Sequence, residues 1–117
     1  MTSVLRATGY EVHASVRVDP ADPVFAGHYP GFPVLPGLFV FDHVDHAVRA
    51  ETGAQLVALD RAKFVRPVRP GDDLRIEATL TPADDGQMLC VATVFTASGV
   101  VAEFRSRYRA RRSGGES

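Results

Sequence analysis

One histidine and one aspartate lie on either side of a segment rich in proline and glycine. Residues 25–37 read FAGHYPGFPVLPG, with His28 in fourth place, and Asp42 follows five positions after the segment ends. A histidine held in a stiff loop is typical of a preorganised site. A carboxylic acid in apolar surroundings keeps its proton more readily than one in water, so Asp42 is a candidate general acid. The two residues together indicate proton-transfer chemistry.

The loop that holds His28 is stiff because prolines recur in it at three-residue spacing. Pro30, Pro33 and Pro36 each fix the backbone angle φ. Pro36 and Gly37 also fit the entry to a helix, whose first N–H groups have no partner within the helix. The amides near Gly37 and Leu38 are therefore candidate donors to a carbonyl oxygen.

The elements that must position these groups follow from hydrophobic periodicity. Residues 38–52 favour a helix that ends at Gly53, a glycine suited to a left-handed cap. Its first turn is apolar on every side, which predicts a buried start. Alternation and turn signals predict strands over residues 10–19, 56–64, 74–81, 88–97 and 100–110, with turns at Asp85-Gly86 and Ser98-Gly99. The strand at 88–97 is apolar on both faces, so we expect both faces to be covered. One helix with a mostly antiparallel sheet is an α+β fold.

Composition excludes several classes of protein. The 117 residues carry a formal net charge of −1, which argues against nucleic acid as a partner. A single cysteine rules out an internal disulfide and a zinc site built on paired thiolates. No apolar run approaches the roughly 20 residues of a membrane span, and the start lacks a signal peptide, so we expect a cytoplasmic protein with no membrane partner. The length suits a single domain over residues 1–117, with a disordered tail at about 113–117.

Two motifs resemble those of a known family. GHYPGFPVLPG at residues 27–37, followed by FD, and RAKFVRPVRPGD at residues 61–72 are similar to stretches of the hot-dog-fold β-hydroxyacyl-acyl-carrier-protein dehydratases. These enzymes serve fatty-acid and polyketide synthesis. The resemblance implies a single hot-dog domain, in which an antiparallel sheet wraps around one central helix. It also implies dehydration of a 3-hydroxyacyl thioester to the trans-2-enoyl product.

The resemblance further assigns roles to three residues. His28 would be the base that removes the α-proton, Asp42 would protonate the departing 3-hydroxyl, and the Gly37 amide would polarise the thioester carbonyl. This chemistry needs no metal and no cofactor. In the family, the histidine and the acid of one site come from different subunits. A chain with one helix is also too small to enclose an acyl tunnel alone, so we expect a homodimer or a higher multiple.

Contacts with the substrate and its carrier are expected from two groups of residues. The first group surrounds the loop and the helix start and comprises Tyr29, Pro36, Leu38 and His46. His46 lies four residues after Asp42, on the same helical face, where the family usually has glutamine. The second group is a basic cluster, Arg61, Lys63, Arg66 and Arg69, which would dock an acidic acyl carrier protein and its phosphopantetheine phosphate.

Two other functions remain open at this stage. A hot-dog thioesterase would use Asp42 to activate water and would not need His28. A non-catalytic subunit would bind the acyl chain or the carrier protein only, and the run Asp42-His43-Val44-Asp45-His46 favours such a drifted site. The same run lacks the further ligand and the general base of a helical zinc site, so we expect no metal.

Overall fold

The structure is a computed structural model that describes residues 2–6, 9–21 and 37–110. Its elements are β1 (Thr2–Arg6), β2 (Gly9–Arg17), α1 (Gly37–Thr52), β3 (Gln55–Phe64), β4 (Asp73–Pro82), β5 (Gln87–Thr96) and β6 (Gly99–Arg109). The six strands form one sheet with the order β1-β2-β4-β5-β6-β3, and every neighbouring pair is antiparallel. β1 and β3 are therefore the two edges. The predicted α+β class is confirmed.

The helix packs on one face of the sheet because its apolar side chains recur at helical spacing. The buried residues of α1 are Val40, Phe41, Val44, Ala47 and Val48. Positions three and four residues apart form one stripe along a helix. Gly53 then adopts a left-handed φ of 72°, and its N–H donates to the carbonyl of Arg49 at 2.9 Å. The predicted glycine cap is confirmed.

Every second residue of the central strands faces the helix. On β4 the buried residues are Leu74, Ile76, Ala78 and Leu80. Arg75 and Thr79, which lie between them, are exposed. Val12 and Ala14 are buried on β2 in the same alternating way. Burial of one large aliphatic side chain contributes about 1.5–3 kcal/mol, so this face supplies much of the stability of the fold.

Two tight turns make β4, β5 and β6 a meander. Asp85 and Gly86 both have left-handed backbone, with φ of 62° and 71°. A short 3-10 turn over Asp84–Gly86 carries the chain round, and the N–H of Ala83 donates to the carbonyl of Gln87 at 2.8 Å across it. Gly99 has φ 111° at the turn between β5 and β6. Both turn signals in the sequence are confirmed.

Strand β1 is a sixth strand that the sequence pattern does not predict. It has five residues, which are too few for period-two alternation to be distinctive. It pairs with β2 from Thr2 opposite His13 to Arg6 opposite Gly9. Backbone pairing with a neighbour makes this segment a strand.

Two expectations about burial are wrong for the described chain. Val91 of β5 is 43% exposed, so β5 is covered on one face only. In the first turn of α1, Val40 and Phe41 are buried, whereas Leu38 and Phe39 are 67% and 45% exposed. Both differences have one cause: a single helix covers one face of the sheet, and the sheet covers one side of the helix.

Two sequence predictions fall outside the described residues. These are the stiff loop predicted over residues 25–37, of which only Gly37 is described, and the disordered tail at 113–117. The single-domain assignment of residues 1–117 also stays a prediction. Within the part of the chain that the structure describes, no helix has the length and apolar character to cross a membrane.

A substitution at Gly9 tests how closely β2 packs against β4. It has φ 151°, and a Cβ built there would collide with the carbonyl oxygen of Leu80 and lie 2.8 Å from the carbonyl carbon. We expect Gly9→Ala to lower the free energy of unfolding by about 1–3 kcal/mol, because the backbone strain and the collision cannot both be relieved.

Gly53→Ala is the matched control for this substitution. Gly53 also has a positive φ, but a Cβ built there would meet no atom of the described residues within 4 Å. Gly53→Ala should therefore lower the free energy of unfolding by about 1 kcal/mol or less. Urea denaturation at one protein concentration measures both variants, and equal losses would contradict the collision at Gly9.

Candidate active site at the start of the helix

The helix begins where the end of β3 meets it. A Cβ built at Gly37 would lie 2.5 Å from Cζ and 3.0 Å from Cδ1 of Phe64. The Phe64 ring therefore occupies the space that a side chain at position 37 would need. The first N–H groups of a helix have no partner within it and carry partial positive charge. This contact therefore brings an aromatic ring beside amide donors that suit a carbonyl oxygen.

Phe64 is the outer member of a group of three phenylalanines. Its ring centroid lies 5.8 Å from that of Phe104, edge-on at 73°. Phe104 lies 5.1 Å from Phe41 of the helix, at 55°. Such pairs contribute about 0.5–1.5 kcal/mol beyond the burial of their area. Phe41 and Phe104 are buried, whereas Phe64 is 53% exposed. The group fixes the helix start and leaves half of one apolar ring exposed beside Gly37.

Asp42 lies on the side of α1 that faces away from the sheet. Its side chain is exposed and makes no hydrogen bond or ion pair with the described residues. His46 is exposed one turn later on the same face. The apolar surroundings expected for Asp42 are therefore not supplied by the described residues of one copy. The carboxyl group is accessible to a substrate or to a second chain.

The residues predicted in the proline-rich loop are not among those described. His28, Tyr29 and Pro36 all fall there, so their roles stay predictions. Leu38 is described, and at 67% exposed it projects from the helix start next to Gly37. The structure thus brings together Gly37, Leu38 and Asp42 on the exposed side of one helical segment.

The four basic residues of the predicted docking surface are divided between two places. Arg61 and Lys63 line one groove on the sheet face opposite the helix, which we call the outer face. Arg66 donates from Nη1 to the carbonyl of Val100 at 2.9 Å and so holds the start of β6. Arg69 lies in the loop between β3 and β4. All four side chains are exposed.

A chain of polar contacts that runs from the core to the surface, and that the sequence did not predict, fixes the third turn of α1. Tyr108 is fully buried, and its hydroxyl donates to Oδ1 of Asp45 at 2.9 Å. Oδ2 of Asp45 lies 3.1 Å from Nε of Arg49. Burial, followed by the hydrogen bond to Asp45, raises the pKa of Tyr108, so its hydroxyl stays a donor. The chain ties α1 to β6 three residues after Asp42.

The sequence contains a signal that points to this chain of contacts. Asp45 lies four residues after Phe41 and three before Val48, both of which are buried. It therefore lies on the stripe that packs against the sheet, where a carboxylate needs a partner. Tyr108 falls in an alternating strand and carries the polar tip that can supply one.

Cys90 is a core residue, as predicted. It is free and fully buried. Burial raises the pKa of its thiol to about 11, against a smaller opposite effect of the Ser106 hydroxyl. The thiol is therefore protonated and unreactive at neutral pH. Among the described residues, no group of three or more His, Cys, Asp or Glu side chains is placed to hold a metal ion.

The model of one known protein family matches this chain over most of its length. The model of the ApeI-like family, described as ApeI dehydratase, matches residues 5–100. A 3-hydroxyacyl-[acyl-carrier-protein] dehydratase FabZ from Alkalilimnicola ehrlichii is 36% identical over 98 residues, which cover 74% of this chain and 63% of that protein. The chain thus spans less than two thirds of the length of this relative.

Solved structures show the fold class. R-hydratase PhaJ1 from Pseudomonas aeruginosa aligns with a TM-score of 0.73 at 15% identity, over 92% of this chain and 84% of that one. The dehydratase heterocomplex ApeI:P from Xenorhabdus doucetiae aligns with a TM-score of 0.66 at 20% identity, over 95% and 96%. The hot-dog fold predicted from the sequence is confirmed. Because the ApeI-like family model matches residues 5–100, the chain belongs to the ApeI-like dehydratase family.

Tyr108→Phe tests the chain of polar contacts at the third turn of α1. The substitution keeps the ring but removes the hydroxyl, which leaves one oxygen of Asp45 without its donor. We expect the free energy of unfolding to fall by about 1–3 kcal/mol, the contribution of a hydrogen bond to a charged group. Tyr10→Phe is the matched control, since Tyr10 is only partly buried and its change should stay within about 0.5 kcal/mol. Equal denaturation midpoints for Tyr108→Phe and the unaltered protein would contradict a stabilising bond.

Proposed function

We propose that this chain dehydrates a 3-hydroxyacyl thioester to the trans-2-enoyl thioester. The observation that supports the proposal is the family match over residues 5–100, which includes all of α1 with Gly37 and Asp42. The reaction requires a base for the α-proton, an acid for the departing hydroxyl and a donor to the thioester carbonyl. The residues proposed for these roles are His28, Asp42 and Gly37.

The Gly37 amide is proposed to bind the thioester carbonyl oxygen. As the first residue of α1, it presents an N–H that the helix does not use. Negative charge develops on that oxygen when the α-proton leaves, and the N-terminal end of a helix favours negative charge. One preorganised donor of this kind is worth about 10²–10³ in rate. The neighbouring Phe64 ring and Leu38 offer apolar surface to the acyl chain, and Tyr29 and Pro36 are proposed to complete that surface.

Proton transfer is proposed to run between His28, the substrate and Asp42. The His28 imidazole takes the α-proton, and the electron pair of that C–H bond forms the new double bond. The bond from the β-carbon to oxygen breaks, and the hydroxyl leaves as water with the proton of Asp42. His28 ends protonated and Asp42 ionised, so one proton must return to Asp42 before the next turnover. His46, one turn from Asp42, is proposed to assist that return.

The acyl group is proposed to arrive on an acyl carrier protein. The Alkalilimnicola ehrlichii relative carries that substrate in its name. Exposed arginine and lysine side chains at Arg61, Lys63, Arg66 and Arg69 suit an acidic partner, because opposite potentials speed the encounter of two proteins. A cytoplasmic location belongs to the same proposal.

Two copies are proposed to pair along β3. Seven large apolar side chains are exposed in the described part of the chain, and six of them lie in the helix start or at β3 and the residue after it. These six are Leu38, Phe39, Leu56, Val57, Phe64 and Val65. Among the described strands β3 pairs only with β6, so its other side presents N–H and C=O groups that no described strand pairs with. A second copy on this edge would cover these six apolar side chains and would surround Asp42 with protein.

The dehydration is tested with purified protein and a 3-hydroxyacyl thioester, by the absorbance of the enoyl thioester. We expect His28→Ala and Asp42→Asn each to lower kcat by about 10²–10⁴-fold, because each removes one proton-transfer group. His13→Ala is the matched control. His13 is an exposed histidine on the outer face of β2 and should leave kcat unchanged.

Three outcomes of this assay contradict the proposal. Release of free thiol with no enoyl product would indicate a thioesterase. Binding of the thioester with no turnover would indicate a binding subunit. A loss of activity in His13→Ala as large as that in His28→Ala would show that the effect is not specific to the loop histidine.

The assembly is tested by light scattering coupled to size exclusion. We expect the unaltered protein to have the mass of two chains or a multiple of two, and Val57→Lys to have the mass of one, because a charge on a buried apolar edge opposes pairing. Val91→Lys is the matched control, since Val91 is equally exposed but lies on the outer face, away from the edge. A single-chain mass for the unaltered protein would contradict a homodimer.

A further inference from the structure

Strand β3 carries two bulges, each of which gives it one residue more than the strand it pairs with. Its register against β6 shifts between positions 56 and 58 and again between positions 59 and 61. The extra residues are Val57 and Asp60. A bulge bends its strand and strengthens the local twist. The edge of the sheet along β3 is therefore bent at two defined points.

One arginine of β6 holds both bulges. Arg107 pairs with Ala58, directly after the first bulge. Its side chain reaches the second bulge, where Nε donates to Oδ2 of Asp60 at 2.9 Å and Nη2 donates to Oδ1 at 3.0 Å. Nη1 donates to Oε1 of Gln87 on β5 at 3.4 Å. A bidentate contact fixes direction as well as distance, so the course of β3 is tied to two neighbouring strands.

The exposure of this ion pair points to a role other than the stability of the fold. The side chains of Arg107 and Asp60 are 41% and 39% exposed. Exposed ion pairs contribute little to folding, because water competes for both charges. The hydrogen bonds from Arg107 lower the pKa of Asp60, so the pair stays charged at neutral pH. At an edge strand, such a pair fixes which backbone groups face outward.

An edge strand that lacks such a device pairs with a second copy in several registers. Residues opposite each other on paired strands point to the same face, so a slip of one residue turns the partner over. On β3, that slip would place the partner's helix on the outer face of the joined sheet. Only registers that keep both helices on one face bring two copies of the helix start together.

We propose that the ion pair between Asp60 and Arg107 fixes the register in which two copies of this chain pair along β3. Both copies carry the same two bulges, so registers that differ by one residue offer different hydrogen bonds, and one register is favoured. The inference rests on the proposed pairing along β3 and names the residues that determine its geometry. Asp60 and Arg107 are positioning residues, because they act through the strand.

The register matters because the regular end of β3 lies at the candidate active site. After the second bulge, positions 61–64 pair with β6 without a further shift. Phe64 ends this stretch and contacts Gly37 at the start of α1. A strand rises about 3.3 Å per residue, so each position of slip moves the partner by about that distance. The ion pair thus sets where the second copy lies relative to Gly37.

The experiment measures pairing by sedimentation velocity and folding by urea denaturation in the same variants. Asp60→Asn and Arg107→Gln each remove one charge of the pair. The double variant Asp60→Arg with Arg107→Asp restores the pair with its charges exchanged. Glu77→Gln is the matched control, because Glu77 forms an exposed ion pair with Arg75 at 3.4 Å on the outer face of β4, whose pairing with β5 is regular.

We expect Asp60→Asn and Arg107→Gln each to raise the dissociation constant of the two copies about tenfold, with little change in the denaturation midpoint. The exchanged pair should reverse most of that rise, and Glu77→Gln should cause none. An unchanged dissociation constant in Asp60→Asn, or a rise that the exchanged pair does not reverse, would overturn the proposal. An equal rise in Glu77→Gln would also overturn it.

Disulfide cross-linking measures the register itself. A cysteine is placed in turn at each position from 56 to 63 other than 60, at a protein concentration that keeps the copies paired. Only a position close to the two-fold axis of the pair can form a disulfide with the same position of the second copy. Cys90 is fully buried and does not interfere.

We expect cross-links at a single position or at adjacent ones in the unaltered background, and at additional positions with Arg107→Gln. The same cross-links in both backgrounds would refute the role of the ion pair, whether or not the protein dehydrates any substrate. A single-chain mass for the unaltered protein would instead contradict the pairing along β3, and this inference with it.

Discussion

The contact between the Phe64 ring and Gly37 is the interaction on which the site depends. It is possible only because position 37 has no side chain, and it joins the end of β3 to the first turn of α1. Phe104 and Phe41 continue the contact into the core, so the helix start cannot shift without disturbing three rings. The direction of the first helical amides is therefore set by packing.

The edge strand β3 combines several roles because its residues alternate between two faces and no other described strand pairs with its outer edge. Phe64 and Ala62 face the helix side, and Arg61 and Lys63 face the opposite side. Two shifts in its register against β6 place Val57 and Asp60 out of the regular alternation. Such irregularities re-aim side chains at the edge of a sheet. One strand thus has an apolar face towards the helix, a charged face on the other side and an edge where a second copy could pair.

Much of the fold could be predicted from the sequence because its signals are local. The alternation on β2 and β4, the helix with its Gly53 cap and the turn at Asp85 and Gly86 each depend on a few neighbouring residues. Burial was harder to predict, because it depends on which face of an apolar segment meets another layer. Val91 and Leu38 are both apolar and both exposed in one copy.

The site itself could be predicted only in part. Two motifs identified the family and the candidate residues, because Gly37 and Asp42 belong to one continuous stretch of chain. Contacts between distant segments were missed. Tyr108 meets Asp45 across 63 positions, and Arg105 meets Arg61 only through the register of two strands. A single sequence shows no register, so the pairing of charges across the sheet required the structure.

The central claim is that this chain removes water from a 3-hydroxyacyl thioester without cleaving the thioester. The most direct measurement is the mass of the intact acyl carrier protein before and after incubation with the purified protein. The account predicts a product lighter by one water, with the acyl group still attached. Carrier protein that has lost its whole acyl group, or that is unchanged in mass, would contradict it.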